Sequence, residues 1–238
     1  MHPSSCNGSS GPISWVETNL GARGAGSRWI SLAEAILGSV VVLGDNVWHV
    51  LPNSVFLLFL MALISFRLRE GNWSAIGLRL PKTWTRIVLI AIAAAVVQQA
   101  LGQFVVDPLT RPYWHYAAGA NPMEGVHGYA GLLRWLGVIW TYAAFGEELV
   151  YRRYLLNRVA DLGGHSRSAL LLGLLWSSAL FGCAHWYQGP AGVISAMVSG
   201  LVYGAAYVLT GKNLWVSVCA HGISDSLALF VTYFGFAG

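Results

Sequence analysis

Apolar residues run through this chain in long blocks, separated by short polar and basic stretches. A helix that crosses a bilayer needs about 20 consecutive, largely apolar residues. Blocks meeting or approaching that length are Trp29–Val50, Ser54–Phe66, Ile87–Val106, Gly131–Leu149, Ala169–His185, Ala191–Leu209 and Leu214–Gly235. The second block stops early at Arg67, and the first contains Glu34 and Asp45. Trp29, Trp48, Trp73, Trp84, Trp114, Trp186 and Trp215 fall near block ends, where amphipathic rings settle among the headgroups. The pattern predicts an all-α, polytopic transmembrane bundle of about seven spans, within a range of six to eight. Residues 1–28 are rich in Ser and Gly and lack the apolar core of a signal peptide. They read as a flexible polar tail ahead of a single transmembrane domain, residues 29–238.

Composition removes the other classes. Of 238 residues, 55% are apolar and 10% charged, whereas a soluble domain carries about 25% charged residues. A soluble chain of this length could not hide so much apolar surface, and disorder needs the opposite balance. Three cysteines, Cys6, Cys183 and Cys219, do not make a disulfide framework.

The net charge of +4 is a matter of topology and needs no nucleic-acid partner. With a cytoplasmic amino end and seven crossings, the inner side holds Arg23 and Arg28, then Arg67, Arg69, Arg79, Lys82 and Arg86. It also holds Arg152, Arg153, Arg158 and Arg167, and finally Lys212. The outer side holds Arg111, and Arg134 lies just inside the outer end of its helix. That asymmetry is what the excess of Lys and Arg in cytoplasmic loops requires. It makes the chain an integral membrane protein with an external carboxyl end.

Once topology has claimed its share, ionisable groups remain inside apolar segments, where each costs several kcal/mol and points to function. They fall into three short patterns. In Phe145-Gly-Glu147-Glu148-Leu-Val-Tyr151-Arg152-Arg153, Glu148 and Arg152 have the favoured order for an i,i+4 ion pair. Glu147, about 100° round the helix, is then left without an internal cation and suits the part of a general base. The competing reading is a pair of interfacial acids solvated at a helix end. The second pattern is Phe181-Gly-Cys-Ala-His185. The third is His221-Gly-Ile-Ser-Asp225, whose His and Asp share one helical face.

Helix arithmetic asks whether these groups meet. From Glu147 the chain descends about 22 Å to Leu162, turns, and climbs about 26 Å to His185, so the two end at similar depth. His221 lies only about 10 Å above the turn at Lys212. An upright helix over 191–209 would leave His185 some 10–15 Å above it, roughly, unless tilt or shortening closes the gap.

The patterns EExxxR, FxxxH and HxxxD, in this order across a multispan chain, resemble the CPBP family. That family comprises the type-II CAAX prenyl proteases and their bacterial bacteriocin-processing and immunity relatives. The stretch Ser74-Ala-Ile-Gly77-Leu78-Arg-Leu-Pro81 is similar to theirs, and the likeness runs over about 67–238. The resemblance implies a bacterial inner membrane, a helical bundle, and catalytic groups facing a cavity open to the cytoplasm. It implies a membrane-associated peptide or protein substrate. Carried over by position, Glu147 and His185 would activate water, with no covalent enzyme intermediate. His221 and Asp225 would bind the oxyanion. Phe181, Glu148 and Arg152 would shape the pocket. CAAX proteases usually carry Asn where this chain has Asp225. An ionised Asp cannot donate a hydrogen bond, so Asp225 is either protonated or orients a charged His221.

Other chemistries find less support. The chain has no HExxH. Gly8-Ser-Ser-Gly11 lies in the tail, and no local motif supports an Asp45/Asp225 dyad. In Cys183-Ala-His185 and Cys219-Ala-His221 the paired side chains diverge by about 200° and cannot easily share a metal. A zinc site made of Glu147, His185, His221 and Asp225 is the nearest rival to a cofactor-free site, since all four are acceptable ligands. A non-catalytic scaffold or immunity protein is the other. Gly200-Leu-Val-Tyr-Gly204 is a small-xxx-small pattern suited to close helix packing.

Overall fold

The structure is a computed structural model that describes residues 14–70, 76–78, 80–81, 83–117 and 121–235. Side chains are described from Ser27 onward, Glu70 excepted. Residues 1–13 of the expected tail, Trp73, Ser74, Arg79, Lys82 and Gly238 lie outside the described residues.

Every apolar block becomes a helix. Helix α1 is Ser14–Asn46, so it starts inside the stretch read as a tail, although its apolar part is Ser27–Asn46. Helix α2, Ser54–Ser65, ends in a wide π turn, Phe66–Glu70. Helix α3 runs over Trp84–Thr110 and widens at Gly102–Val106. Helix α4 is the longest, residues 128–162, formed of Gly128–Val138, Ile139–Glu147, Leu149–Leu155 and Leu156–Leu162. Helix α5 is Arg167–Ala184, α6 is Gly189–Leu209 after a 3₁₀ turn at Trp186–Gln188, and α7 is Leu214–Tyr233. Among the described residues there is no strand.

Five of these helices are long and apolar enough to cross a membrane on composition alone. Helix α4 is not among them; it carries Arg134 in its first half and Glu147, Glu148, Arg152, Arg153, Arg158 and Asp161 in its second. Its length, about 52 Å at 1.5 Å per residue, exceeds a hydrocarbon core of about 30 Å. Helix α2 is the short segment anticipated above.

The acids that weakened the first span are accounted for by partners. Glu34 accepts from Arg69 at 2.6 Å and pairs with Arg158 at 3.1 Å. Asp161 pairs with Arg158 at 2.8 Å and accepts from Ser31 at 2.8 Å. This network ties α1, α2 and α4 together at one end of the bundle. At the other end, Asp45 accepts from the Ser54 backbone N–H at the start of α2. Neither acid lies in the cavity described below.

Small residues let α5 and α6 approach closely. A Cβ on Gly182 would sit 2.8 Å from the Val193 carbonyl oxygen, and one on Gly200 would sit 3.0 Å from Ser178 Cα. Gly204 faces Leu174. The Gly200/Gly204 pattern is therefore an α5–α6 contact face, as the spacing predicts.

Candidate active site

Helix α4 delivers its acids where the backbone departs from α geometry. Wide π turns run through Ile139–Glu147 and Leu149–Leu155, with Glu148 between them. Such turns are rare and gather at functional sites, because an extra residue per turn re-aims the side chains around it. Phe181 and His185 come from the last turn of α5, His221 and Asp225 from the middle of α7, and Tyr203 from α6.

Glu148 and Arg152 form the expected ion pair, with Oε2 3.0 Å from Nε. Both side chains are wholly buried, at 0% and 1% exposure, so neither can rely on water. The arginine's remaining guanidinium face lies against the Phe181 ring, 4.4 Å from Cζ to centroid. This cation–π contact partly offsets desolvation. The other carboxylate oxygen of Glu148 does something local spacing does not reveal. Its Oε1 lies 2.9 Å from His221 Nδ1, across to α7.

His221 is thus gripped on both nitrogens, since Nε2 lies 3.4 Å from Asp225 Oδ2. The ring can donate in both directions only when both nitrogens carry protons. Tyr203 stacks on it, with centroids 5.2 Å apart, and Phe181 meets it edge-on at 5.8 Å.

His185 ends α5. Its Nδ1 lies 2.8 Å from the Phe181 carbonyl oxygen, a bond in which Nδ1 carries the proton. Nε2 is then free to act as a base when the ring is neutral. The Phe181 ring lies 4.8 Å from that of His185, so one aromatic side chain touches both histidines. Phe181 bridges the depth difference that upright helices would have left.

Glu147, Phe181, His185, Tyr203, His221 and Asp225 all line one cavity of about 780 Å³. Within it, Glu147 Oε2 is buried and has no hydrogen-bond partner among the described residues. The reading of Glu147 and Glu148 as two solvated interfacial acids is therefore corrected. One acid is locked in a buried bridge, and the other lines a cavity while keeping one buried oxygen without a hydrogen-bond partner among the described residues.

Sequence reasoning missed Tyr203, Gln98 and Ser199, which also line the cavity. Gln98 on α3 donates from Nε2 to Ser199 Oγ at 3.0 Å. No short motif marks them, because they reach the site from α3 and α6 by packing alone. Among the described residues, no three His, Cys, Asp or Glu side chains are grouped as metal ligands. Cys183 and Cys219 are free thiols.

Residues 129–227 match the protein family described as Type II CAAX prenyl endopeptidase Rce1-like. This segment is Rce1-like. It contains Glu147, Glu148, Arg152, Phe181, His185, His221 and Asp225. The resemblance drawn from the three motifs thus agrees with the family match, which indicates a peptidase of the CAAX-protease kind. Together with the apolar helices, it makes the chain an integral membrane protein. No curated protein and no solved structure matches the chain.

Proposed function

We propose that the chain is an intramembrane endopeptidase of the glutamate type, in which Glu147 and His185 activate a water against a peptide carbonyl. The observation that carries this is the unpaired, buried Oε2 of Glu147 in a cavity that it shares with His185. An unpaired buried carboxylate oxygen is costly, and it persists where it has a partner to bind in the working state.

In the proposed step, Glu147 takes a proton from water while the oxygen adds to the carbonyl carbon. His185 Nε2, fixed by the Phe181 carbonyl on its other nitrogen, holds the same water. The carbonyl π pair moves onto oxygen. His221, charged and held by Glu148, donates toward that oxyanion through Nε2, which now shares its proton between Asp225 and substrate. Collapse of the tetrahedral adduct breaks the C–N bond. The proton held by Glu147 passes to the leaving amine, so one water is consumed and no bond to the enzyme forms.

The contact between Asp225 and His221 favours the orienting role for Asp225 over that of a protonated donor. The reaction draws on these side chains without a metal. Residues 29–238 act as one protease domain in the bilayer, with a membrane-associated peptide or protein as substrate. Purified protein incubated with membrane peptides in liposomes tests this reading. Cleavage by wild type and none by Glu147→Gln supports it, and equal behaviour of the two would leave a scaffold or immunity protein.

A further inference from the structure

The mouth of the cavity and most of the basic residues lie at opposite ends of the bundle. At one end, the α4–α5 turn touches the α6–α7 turn through Lys212 Nζ and His165 Nδ1, 2.8 Å apart. The α2–α3 connection joins them, with the Leu214 N–H donating to the Gly77 carbonyl at 3.3 Å. Arg69 closes the same end on Glu34. These are the connections that carry the basic runs of the sequence.

At the other end the Ala117 N–H donates to the Gln188 carbonyl at 3.1 Å, tying the α3–α4 connection to the α5–α6 turn. Asn121 Nδ2 donates to Thr232 Oγ1 at 3.3 Å, adding the end of α7. The mouth of the cavity is built here, from Tyr116, Asn121, Glu124, Tyr187 and Gln188. No residue of the turns at 163–166 or 210–213 lines it. A second hollow of about 900 Å³ shares Gln98, Gln99, Tyr116 and Ser195 with the first and extends along α3 to Asp107 and Arg111. Arg111 is offset by Asp107 at 2.7 Å, and Arg134 near the start of α4 is matched in number by Glu124, so this end carries no excess of positive charge.

Lys and Arg collect on the cytoplasmic side of a membrane protein. We infer that the cavity opens on the non-cytoplasmic face, and that its substrate is a polypeptide segment presented from that side. An exported peptide, or the external flank of a membrane protein, has this chemistry; a chain end offered from the cytoplasm does not. This deepens the peptidase reading above and rests on it. It also reverses the cytoplasmic opening that the family resemblance implies.

The mouth suits an extended backbone better than an anionic headgroup. Its lining is aromatic, amide and acidic, with no cationic collar among the described residues. Deeper in, Gln98 Oε1 is buried and lacks a hydrogen-bond partner among the described residues. A peptide N–H that reached it would supply the missing partner, and this is the group that β-strand-like peptide recognition pairs first.

Cysteine accessibility tests the orientation without any need for turnover. Single cysteines replace Glu124, at the mouth, and Ser168, at the opposite end, in full-length protein with Cys6, Cys183 and Cys219 changed to Ala. A membrane-impermeant maleimide is then applied to spheroplasts. Glu124→Cys should be modified in intact spheroplasts to the same extent as in detergent. Ser168→Cys should be modified only after the membrane is opened. The reverse pattern, or modification of both from one side, overturns the inference. A reporter fused to the carboxyl end of the otherwise native chain reads the same face independently of cysteine chemistry. It should be external, and a cytoplasmic reporter overturns the inference too. Loss of cleavage in Glu147→Gln bears only on the peptidase reading, so the two failures are distinguishable.

Discussion

Glu148 Oε1 lies 2.9 Å from His221 Nδ1, a hydrogen bond between residues 73 positions apart that joins α4 to α7. The same carboxylate holds Arg152 at 3.0 Å. A single buried acid thus sets the register of one helix and the ring orientation of a histidine on another.

Glu148→Gln should therefore damage folding and site together. It leaves the Arg152 charge without its counterion, a loss of about 3–5 kcal/mol for a buried pair broken on one side. Thermal unfolding in detergent should show a large drop. Replacing both, as Glu148→Gln with Arg152→Met, should recover part of the stability, because no unpaired charge remains. It should not recover full cleavage, since a neutral amide oxygen then replaces the carboxylate that holds the charged His221 ring. A stable and active single variant would contradict this assignment.

At Asp225 the informative comparison is between Asn and Leu. Asn retains an oxygen that accepts from His221 Nε2 and gains an N–H₂ that donates to an oxyanion. Asp225→Asn should hold turnover within about tenfold, whereas Asp225→Leu should lose about 100-fold or more through the disoriented ring. Both values are to be taken per folded protein. Equal losses in the two variants would mean that the carboxylate's charge, and not its hydrogen bonding, is what the site needs.

Much of this arrangement is legible in the sequence, and the limits of what is legible are physical. The apolar blocks locate the helices because the bilayer demands about 20 apolar residues per crossing. Intramembrane charges are costly, so Glu147, Arg152, His185, His221 and Asp225 stand out in the sequence. The Glu148–Arg152 pair follows from i,i+4 spacing. The Glu148–His221 bridge does not, because no periodicity relates two helices separated by α5 and α6. Tyr203 is equally hidden, as an aromatic residue among many in an apolar helix. The direction of the cavity is a property of the assembled bundle, visible only once Tyr116, Asn121, Glu124, Tyr187 and Gln188 are seen at its rim.

Gly182 provides a test of packing near the site. A Cβ there would lie 2.8 Å from the Val193 carbonyl and 3.1 Å from Met197 Cβ, so α6 would have to move. Gly182→Val should cost about 1–3 kcal/mol, the usual range for overpacking. It should also lower turnover, since His185 follows one turn later on α5. Gly137→Ala, where an added Cβ meets nothing within 4 Å, should leave melting temperature and cleavage near wild type.

Cleavage should survive exhaustive chelation of a preparation verified as metal-free by elemental analysis. The zinc alternative at Glu147, His185, His221 and Asp225 predicts loss of activity on chelation and recovery when zinc alone is added back.

The proposed mechanism stands or falls on Glu147 as the base. The most direct measurement compares peptide termini in membranes of cells expressing wild type or Glu147→Gln at matched levels, by mass spectrometry. At least one membrane-associated polypeptide should be cut in wild type, with cutting reduced about 100-fold or more in the variant. Identical terminal profiles, with both proteins folded and equally abundant, would contradict it.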